Sequence, residues 1–285
     1  MKKCILPLLF AAMTTTVFTS CLGDGNNEQT AQITATMVQL RKDANGTELT
    51  TANYRYNINY TDGIIDITIY DEDSYGAAFV LEDVPMTYSE DLGYTFRATD
   101  ITPTTATGEA ITDLHITNLY GQYAGPTLDL RYTINGNTSI LAIPESSTYY
   151  FTDIVTAAAD GASYEYGESY VNLKYRINAD SALVDMTLYN IRFVSEMPVM
   201  ESMTFPSIEV APSPSGDAIM LTADEIIPKI SNTPYPSYKV TNFTGSLNPA
   251  FSATSFFSYE NLRATFSCME MNVRINADMY ITSDK

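Results

Sequence analysis

Residues Tyr56 to Tyr70, YNINYTDGIIDITIY, return 119 positions later as Tyr175 to Tyr189, YRINADSALVDMTLY. Laid over one another without a gap, the two stretches share Tyr, Ile, Asn, Asp, Thr and Tyr. Ile64, Ile65, Ile67 and Ile69 become Leu183, Val184, Met186 and Leu188. One structural unit is therefore used twice, and the fold must be assembled from two copies of it. In the first copy Tyr54, Tyr56 and Ile58 fall on one face of an extended chain and Arg55, Asn57 and Asn59 on the other, because side chains alternate along a strand. Asp62-Gly63 suits the positive φ angles of a tight turn. The return run puts Ile65, Ile67 and Ile69 inward and Asp66, Thr68 and Tyr70 outward. Two adjoining alternating runs predict an antiparallel hairpin with one buried face.

The rest of the first copy reads alike. Runs at Ile33–Leu40, Ala77–Leu81, Tyr94–Ala98, Leu114–Leu119, Leu128–Ile134 and Ser139–Ile143 are separated by turn residues such as Gly93, Gly121 and Asn135-Gly136. With the hairpin they make about eight strands. No window shows a sustained helical period with a cap. In the second copy Met203-Thr204-Phe205 answers Met86-Thr87-Tyr88, Ala223–Pro228 answers Ala98–Pro103, and Val240–Gly245 answers Ile116–Gly121. Beyond Gly245 it is longer, with either Leu262-Arg263 or Val273-Arg274 matching Leu130-Arg131. The extra length carries Phe251, Phe256, Phe257 and Tyr259, which have no counterpart. Ile-Asn recurs at Ile58-Asn59, Ile134-Asn135, Ile177-Asn178 and Ile275-Asn276, read as strand ends entering turns because Asn tolerates left-handed backbone. The expected organisation is a leader over 1–20, a polar tether over 21–32, a first β domain over 33–145 and a second over 146–285. The fold class is all-β: two tandem antiparallel β-barrels or β-sandwiches of about eight strands each.

The leader has Lys2 and Lys3 before an apolar run from Ile5 to Val17, too short to span a bilayer. Phe18-Thr19-Ser20 before Cys21 resembles the lipobox of bacterial lipoproteins, with Phe18 where Leu is usual. That resemblance implies cleavage before Cys21 and acylation of its thiol, an anchor stable when it carries more than one chain. Leu22 after the Cys implies the outer membrane. Without the leader, Cys268 is the only thiol besides Cys21, so no internal disulfide staples the fold. The remaining 13 basic and 34 acidic side chains give a formal charge of −21. Such a surface excludes nucleic acid and disfavours flat docking onto anionic lipid.

Chemistry-bearing residues are few. His115 is the only histidine, set outward between Leu114 and Ile116, and cannot complete a catalytic triad by itself. Cys268 lies in the alternating run Phe266–Val273 and reads as a small buried hydrophobe. Too few His and Cys exist for zinc or an iron centre. Asp71, Asp73 and Glu82 superficially follow the spacing of a calcium loop, but Tyr75 occupies a ligand position and the flanks are strands, so an acidic turn explains the same letters. No cofactor and no enzymatic activity are expected. A tyrosine cluster at Tyr149, Tyr150, Tyr164, Tyr166 and Tyr170 could stack on sugars, yet Tyr is also favoured in half-buried strands, and Trp is absent.

The leader, Cys21, the absence of disulfides and the two all-β units, with Gly245 closing VTNFTG, resemble the tandem calycin-like lipoproteins of Bacteroidetes. The resemblance implies lipocalin-type barrels whose lumen either holds one small ligand or is filled by side chains. The resulting expectation is a lipid-anchored outer-membrane protein that binds a small apolar or amphipathic ligand, or a partner, with Phe251, Phe256, Phe257 and Tyr259 as the candidate loop. A surface glycan-binding module and a fimbrial-type adhesion subunit are the alternatives.

Overall fold

The computed structural model describes residues 30–71, 76–89, 93–124, 127–156, 161, 169–178, 180–215, 218–251 and 258–278. Strands β1 (Thr30–Asp43), β2 (Gly46–Asn59), β3 (Ile64–Tyr70), β4 (Phe79–Ser89), β5 (Gly93–Ile101), β6 (Ile116–Ala124), β7 (Thr127–Ile134) and β8 (Thr138–Pro144) pair in chain order. β8 then pairs back onto β1, with Val38 opposite Ile143, so the sheet closes into an up-and-down barrel. Thr30, Ala31 and Gln32, expected in the tether, belong to β1, where they pair with Asn59, Ile58 and Asn57.

The second unit repeats the order. β9 (Ser146–Thr156), β10 (Tyr170–Asn178), β11 (Ser181–Ile191), β12 (Met200–Pro212), β13 (Ile219–Ile226), β16 (Val240–Phe251), β17 (Ser258–Cys268) and β18 (Met271–Asp278) each pair with the next, and β18 pairs with β9. The β11–β12 pairing completes the ring. Two short strands, β14 (Lys229–Ile230) and β15 (Thr233–Pro234), and a single 3-10 turn at Pro236–Tyr238 fill the β13–β16 connection. Closed barrels, rather than sandwiches, are thus the architecture of both halves. Among the described residues no helix is long and apolar enough to cross a membrane.

The duplication extends to irregularities. β3 slips against β4 between Ile65 and Ile67, and β11 against β12 between Val184 and Met186. The extra residue, Asp83 or Ser207, takes positive φ, 53° and 58°. Its N–H is held by the carboxylate of Asp66 at 2.9 Å or Asp185 at 2.8 Å. A second shared bulge places Asn118 and Asn242 at φ 53° and 52°, where the short polar side chain tolerates the left-handed region. The bulges correct one correspondence drawn from letters alone. Leu81 and Phe205 both pair with the residue just past the slip, so Met86 answers Val210 and not Met203. Likewise Gly121 pairs with Leu130 and Gly245 with Ala264, so Leu130-Arg131 answers Ala264-Thr265 and neither of the two proposed pairs.

The long-repeat hairpins differ by two residues. Tyr56 pairs with Ile67, whereas Tyr175 pairs with Val184. The first turn holds four residues, Tyr60–Gly63, with Gly63 at φ 66°; the second holds two. A two-residue slide leaves every side chain on its original face, so the core survives it. In both turns the strand-ending Asn fixes the backbone: Asn59 accepts from the N–H groups of Thr61 and Asp62, Asn178 from those of Asp180 and Ser181. Asn276 departs from the expected pattern, lying inside β18 and donating to the Asp153 carboxylate. The run Phe266–Val273 is also broken by a turn at Met269-Glu270, the equivalent of Asn135-Gly136.

The two barrels share a junction. The link is Glu145, whose N–H donates to the Thr36 carbonyl and whose carbonyl accepts from Tyr175 N–H. Val38 and Ile143, outward on the first barrel, are buried in the core of the second, with Leu49 and Leu141 packed beside them. Lys42 Nζ donates to the Ser215 carbonyl at 2.7 Å.

Candidate functional site

The first barrel's interior is filled. Tyr54, Tyr56, Tyr132, Phe79 and Phe96 are fully buried within it, Phe79 and Phe96 each contributing roughly 1.5–3 kcal/mol relative to exposure. Gly121 faces Phe96 so closely that a Cβ would overlap the ring. Gln39 ties the aromatics together, donating to Tyr54 Oη at 2.6 Å and accepting from Thr50, while the Tyr54 and Tyr132 hydroxyls meet at 3.1 Å. The Tyr56 hydroxyl has no hydrogen-bond partner among the described residues. Burial, then Tyr54 and Asp129, hold its phenol well above the ordinary value. The second barrel is packed by Phe193, Phe205, Phe243 and Phe266, with ring centroids 5.2–6.3 Å apart. Phe193 comes from the β11–β12 connection and is fixed by Thr156, which donates to its carbonyl at 2.6 Å.

With the interiors filled by side chains, a ligand must meet the molecule at an end or on a wall. In an up-and-down barrel the β2–β3, β4–β5 and β6–β7 turns share one end with the first residue of β1. There the first barrel gathers Tyr60, Tyr88, Tyr94 and Tyr123. The Tyr94 ring lies 5.0 Å from Tyr60, 5.0 Å from Tyr88 and 6.3 Å from Tyr123. Tyr60 and Tyr123 are hydrogen-bonded through their hydroxyls. Burial raises the phenols of Tyr60, Tyr94 and Tyr123, so all stay neutral and able to donate near pH 7. Tyr88 is 60% exposed, the most exposed of the large hydrophobic side chains described.

The second barrel supplies an internal comparison. Tyr88, Tyr94 and Tyr123 pair in a row across β4, β5 and β6. The row at the same place is Pro212, Ile219 and Leu247. Ile219 and Leu247 are core residues, 1% and 0% exposed. The aromatic end is therefore not required by the shared fold. Sequence reasoning missed it because its members sit near three different turns, and only the barrel brings them together.

The residues singled out from sequence are dispersed. Phe251 ends β16 opposite Ser258, and Tyr259 follows in β17 opposite Ala250. They lie on a hairpin that outruns its β6–β7 counterpart, at the end of the second barrel equivalent to the tyrosine end of the first. Cys21, Phe256, Phe257, Asp73, Tyr164 and Tyr166 lie outside the described residues. Tyr170 stacks on Tyr189 with centroids 4.5 Å apart. Asp71 is buried at the end of β3 while Glu82 is exposed on β4. Among the described residues no three His, Cys, Asp or Glu side chains converge as metal ligands. His115 is exposed, 3.9 Å from Asp100. Cys268 is buried, donates weakly to the Tyr238 carbonyl, and burial pushes its thiol up to about 11, the opposite of an activated nucleophile.

No known protein family matches the chain, and no curated protein does. Among solved structures, one provisionally named AttH (NE1406), from Nitrosomonas europaea, aligns over 93% of this chain and 97% of its own at 11% identity. Its TM-score is 0.20, too low for the likeness to carry any argument.

Proposed function

We propose that this is a lipid-anchored, non-enzymatic binding protein of the outer membrane, akin to the tandem calycin-like lipoproteins. In this reading it holds an amphipathic ligand at the end of its first barrel formed by Tyr60, Tyr88, Tyr94 and Tyr123. The carrying observation is that this end leaves Tyr94 and Tyr123 half-buried, with Tyr88 exposed beside them, where the second barrel fully buries Ile219 and Leu247. Tyrosine offers an apolar ring and a polar tip together, which suits a molecule with both characters. The same end is where β1 begins. With Cys21 acylated, nine residues at about 3.3–3.6 Å each keep it within roughly 30 Å of the bilayer. A membrane-facing tyrosine surface matches the preference of this side chain for the lipid–water boundary. The fimbrial alternative loses support, because closed rings of strands leave little free edge for strand exchange.

Because Trp is absent, tyrosine emission is unmasked, and with 21 tyrosines in the chain the share owed to this end is the part that its tyrosine variant loses. Titration of the mature chain with monomeric lysophosphatidylcholine should change the emission saturably. A Tyr88→Ser, Tyr94→Ser double variant should weaken that binding about tenfold or more. Phe256→Ser, Phe257→Ser should leave it intact if the second barrel's hairpin is not the site. Equal binding by wild type and the tyrosine variant would refute the assignment.

A further inference from the structure

A groove of about 700 Å³ runs along the outer wall of the first barrel, lined by Thr34 and Thr36 of β1, Thr51, Asn53 and Arg55 of β2, and Tyr70 of β3. Its size falls within the roughly 300–1,000 Å³ of small-molecule pockets. It shares no residue with the tyrosine end, so the two sites stand or fall separately. Outward pairs along β1 and β2 run Val38–Thr51, Thr36–Asn53 and Thr34–Arg55. Val38 is buried against the second barrel, so the polar row begins where the junction between barrels stops. Ligand sites favour such junctions.

The lining is rich in both donors and acceptors. Arg55 holds its guanidinium 5.4 Å over the Tyr70 ring. Among the described residues no carboxylate lies within ion-pair distance of it, although the chain has 34 acids. Asn53 accepts from Thr36 at 2.9 Å, which leaves its amide NH2 to donate elsewhere. The Asp71 carboxylate completes the lining. One cation and one carboxylate make the wall neutral overall, with hydroxyl, amide and guanidinium groups ranged beside an aromatic ring. A chain of such negative charge repels anionic ligands at long range but is indifferent to neutral ones.

The second barrel again provides a comparison. Its wall carries Ser146, Thr148, Asn172 and Lys174 at the positions of Thr34, Thr36, Asn53 and Arg55, but the two-residue slide of its hairpin puts Thr187 opposite Asn172 where the first barrel puts Tyr70 opposite Asn53. Asn172 even repeats the cross-strand contact, donating to Thr148 at 3.3 Å. Thr51, however, becomes Tyr170, whose ring stacks on Tyr189 at 4.5 Å. The polar ladder is common to both barrels, while only the first sets the Tyr70 ring opposite Asn53 and keeps the small Thr51 in the groove lining.

We propose that this groove binds a neutral saccharide, whose hydroxyls are met by Arg55, Asn53, Asp71 and the threonines. The mature chain is to be titrated with maltotriose, cellotriose and mannotriose, with trigalacturonate as the charged control, by saturation-transfer NMR. At least one neutral trisaccharide should bind at millimolar Kd or tighter. Arg55→Ala, which removes a multiple donor, and Thr51→Tyr, which puts a large ring into the groove, should each weaken it about tenfold or more. Lys174→Ala and the Tyr88→Ser, Tyr94→Ser variant should bind as wild type does. Thr51→Tyr leaves the Arg55–Tyr70 stack in place, so it decides the matter even if Arg55→Ala fails to fold. Absence of neutral-trisaccharide binding, unchanged affinity in Thr51→Tyr, or tighter binding of trigalacturonate would overturn the assignment.

Discussion

At the scale of the residue, Tyr56 sets a polar atom into the apolar interior of the first barrel. The buried Tyr56 hydroxyl lacks a hydrogen-bond partner among the described residues, whereas its neighbours Tyr54, Tyr132 and Gln39 are linked. A desolvated hydroxyl without a bond costs about 1–3 kcal/mol. Tyr56→Phe should therefore leave stability unchanged or raise it by up to about 1 kcal/mol, measured by denaturant titration. A clear loss would mean that the hydroxyl is satisfied by something the protein carries in solution. Alternation along NYRYNIN was enough to place Tyr54, Tyr56 and Ile58 inside. Which hydroxyls would meet partners was not legible, because Gln39 is 15 residues and Tyr132 78 residues away from Tyr54.

Among the elements, the bulges are the most informative. Asp66 and Asp185 were visible as identical letters in the two long repeats, and outward position was readable for both. Their task was not, since each caps an N–H on the next strand: Asp83 and Ser207 respectively. Removing either carboxylate leaves a positive-φ residue with an unheld N–H, so Asp66→Ala and Asp185→Ala should each cost about 1–3 kcal/mol. Urea midpoints of the two single variants test this, and a negligible change in both would show that the bulges hold without their caps. Letters misaligned Met86 with Met203 because the β11–β12 connection is longer than the β3–β4 one: Ile67 and Met186 are 119 residues apart, their partners Leu81 and Phe205 124. A gap-free reading cannot see an insertion in a connection, and the bulge that both copies share does not reveal it. The aromatic extension between β16 and β17 was recognised from sequence, but its place at an end of the barrel follows only from strand order.

For the whole molecule, the junction matters most. Val38 and Ile143 are neighbours on the outer wall of the first barrel and are fully buried by the second. Glu145 joins the barrels with no slack, bonded on both sides through its backbone. The wild-type chain should therefore unfold in one transition. Val38→Asp with Ile143→Asp forces two carboxylates into apolar surroundings and should split calorimetric unfolding into two transitions, each barrel keeping its strand content. A single, merely lowered transition would show that the barrels do not fold as separate units.

The amino-acid sequence by itself determined the all-β class, the twofold repetition and the inward or outward sense of most strand residues. Those properties depend on a period of two and on turn residues a few positions apart. Only the tertiary structure decided that the sheets close, that the lumens are filled, and that tyrosines from three separate turns meet at one end. Closure is a contact between the first and last strands of each unit, over a hundred residues apart, and pairing at that range leaves no local signature in the chain.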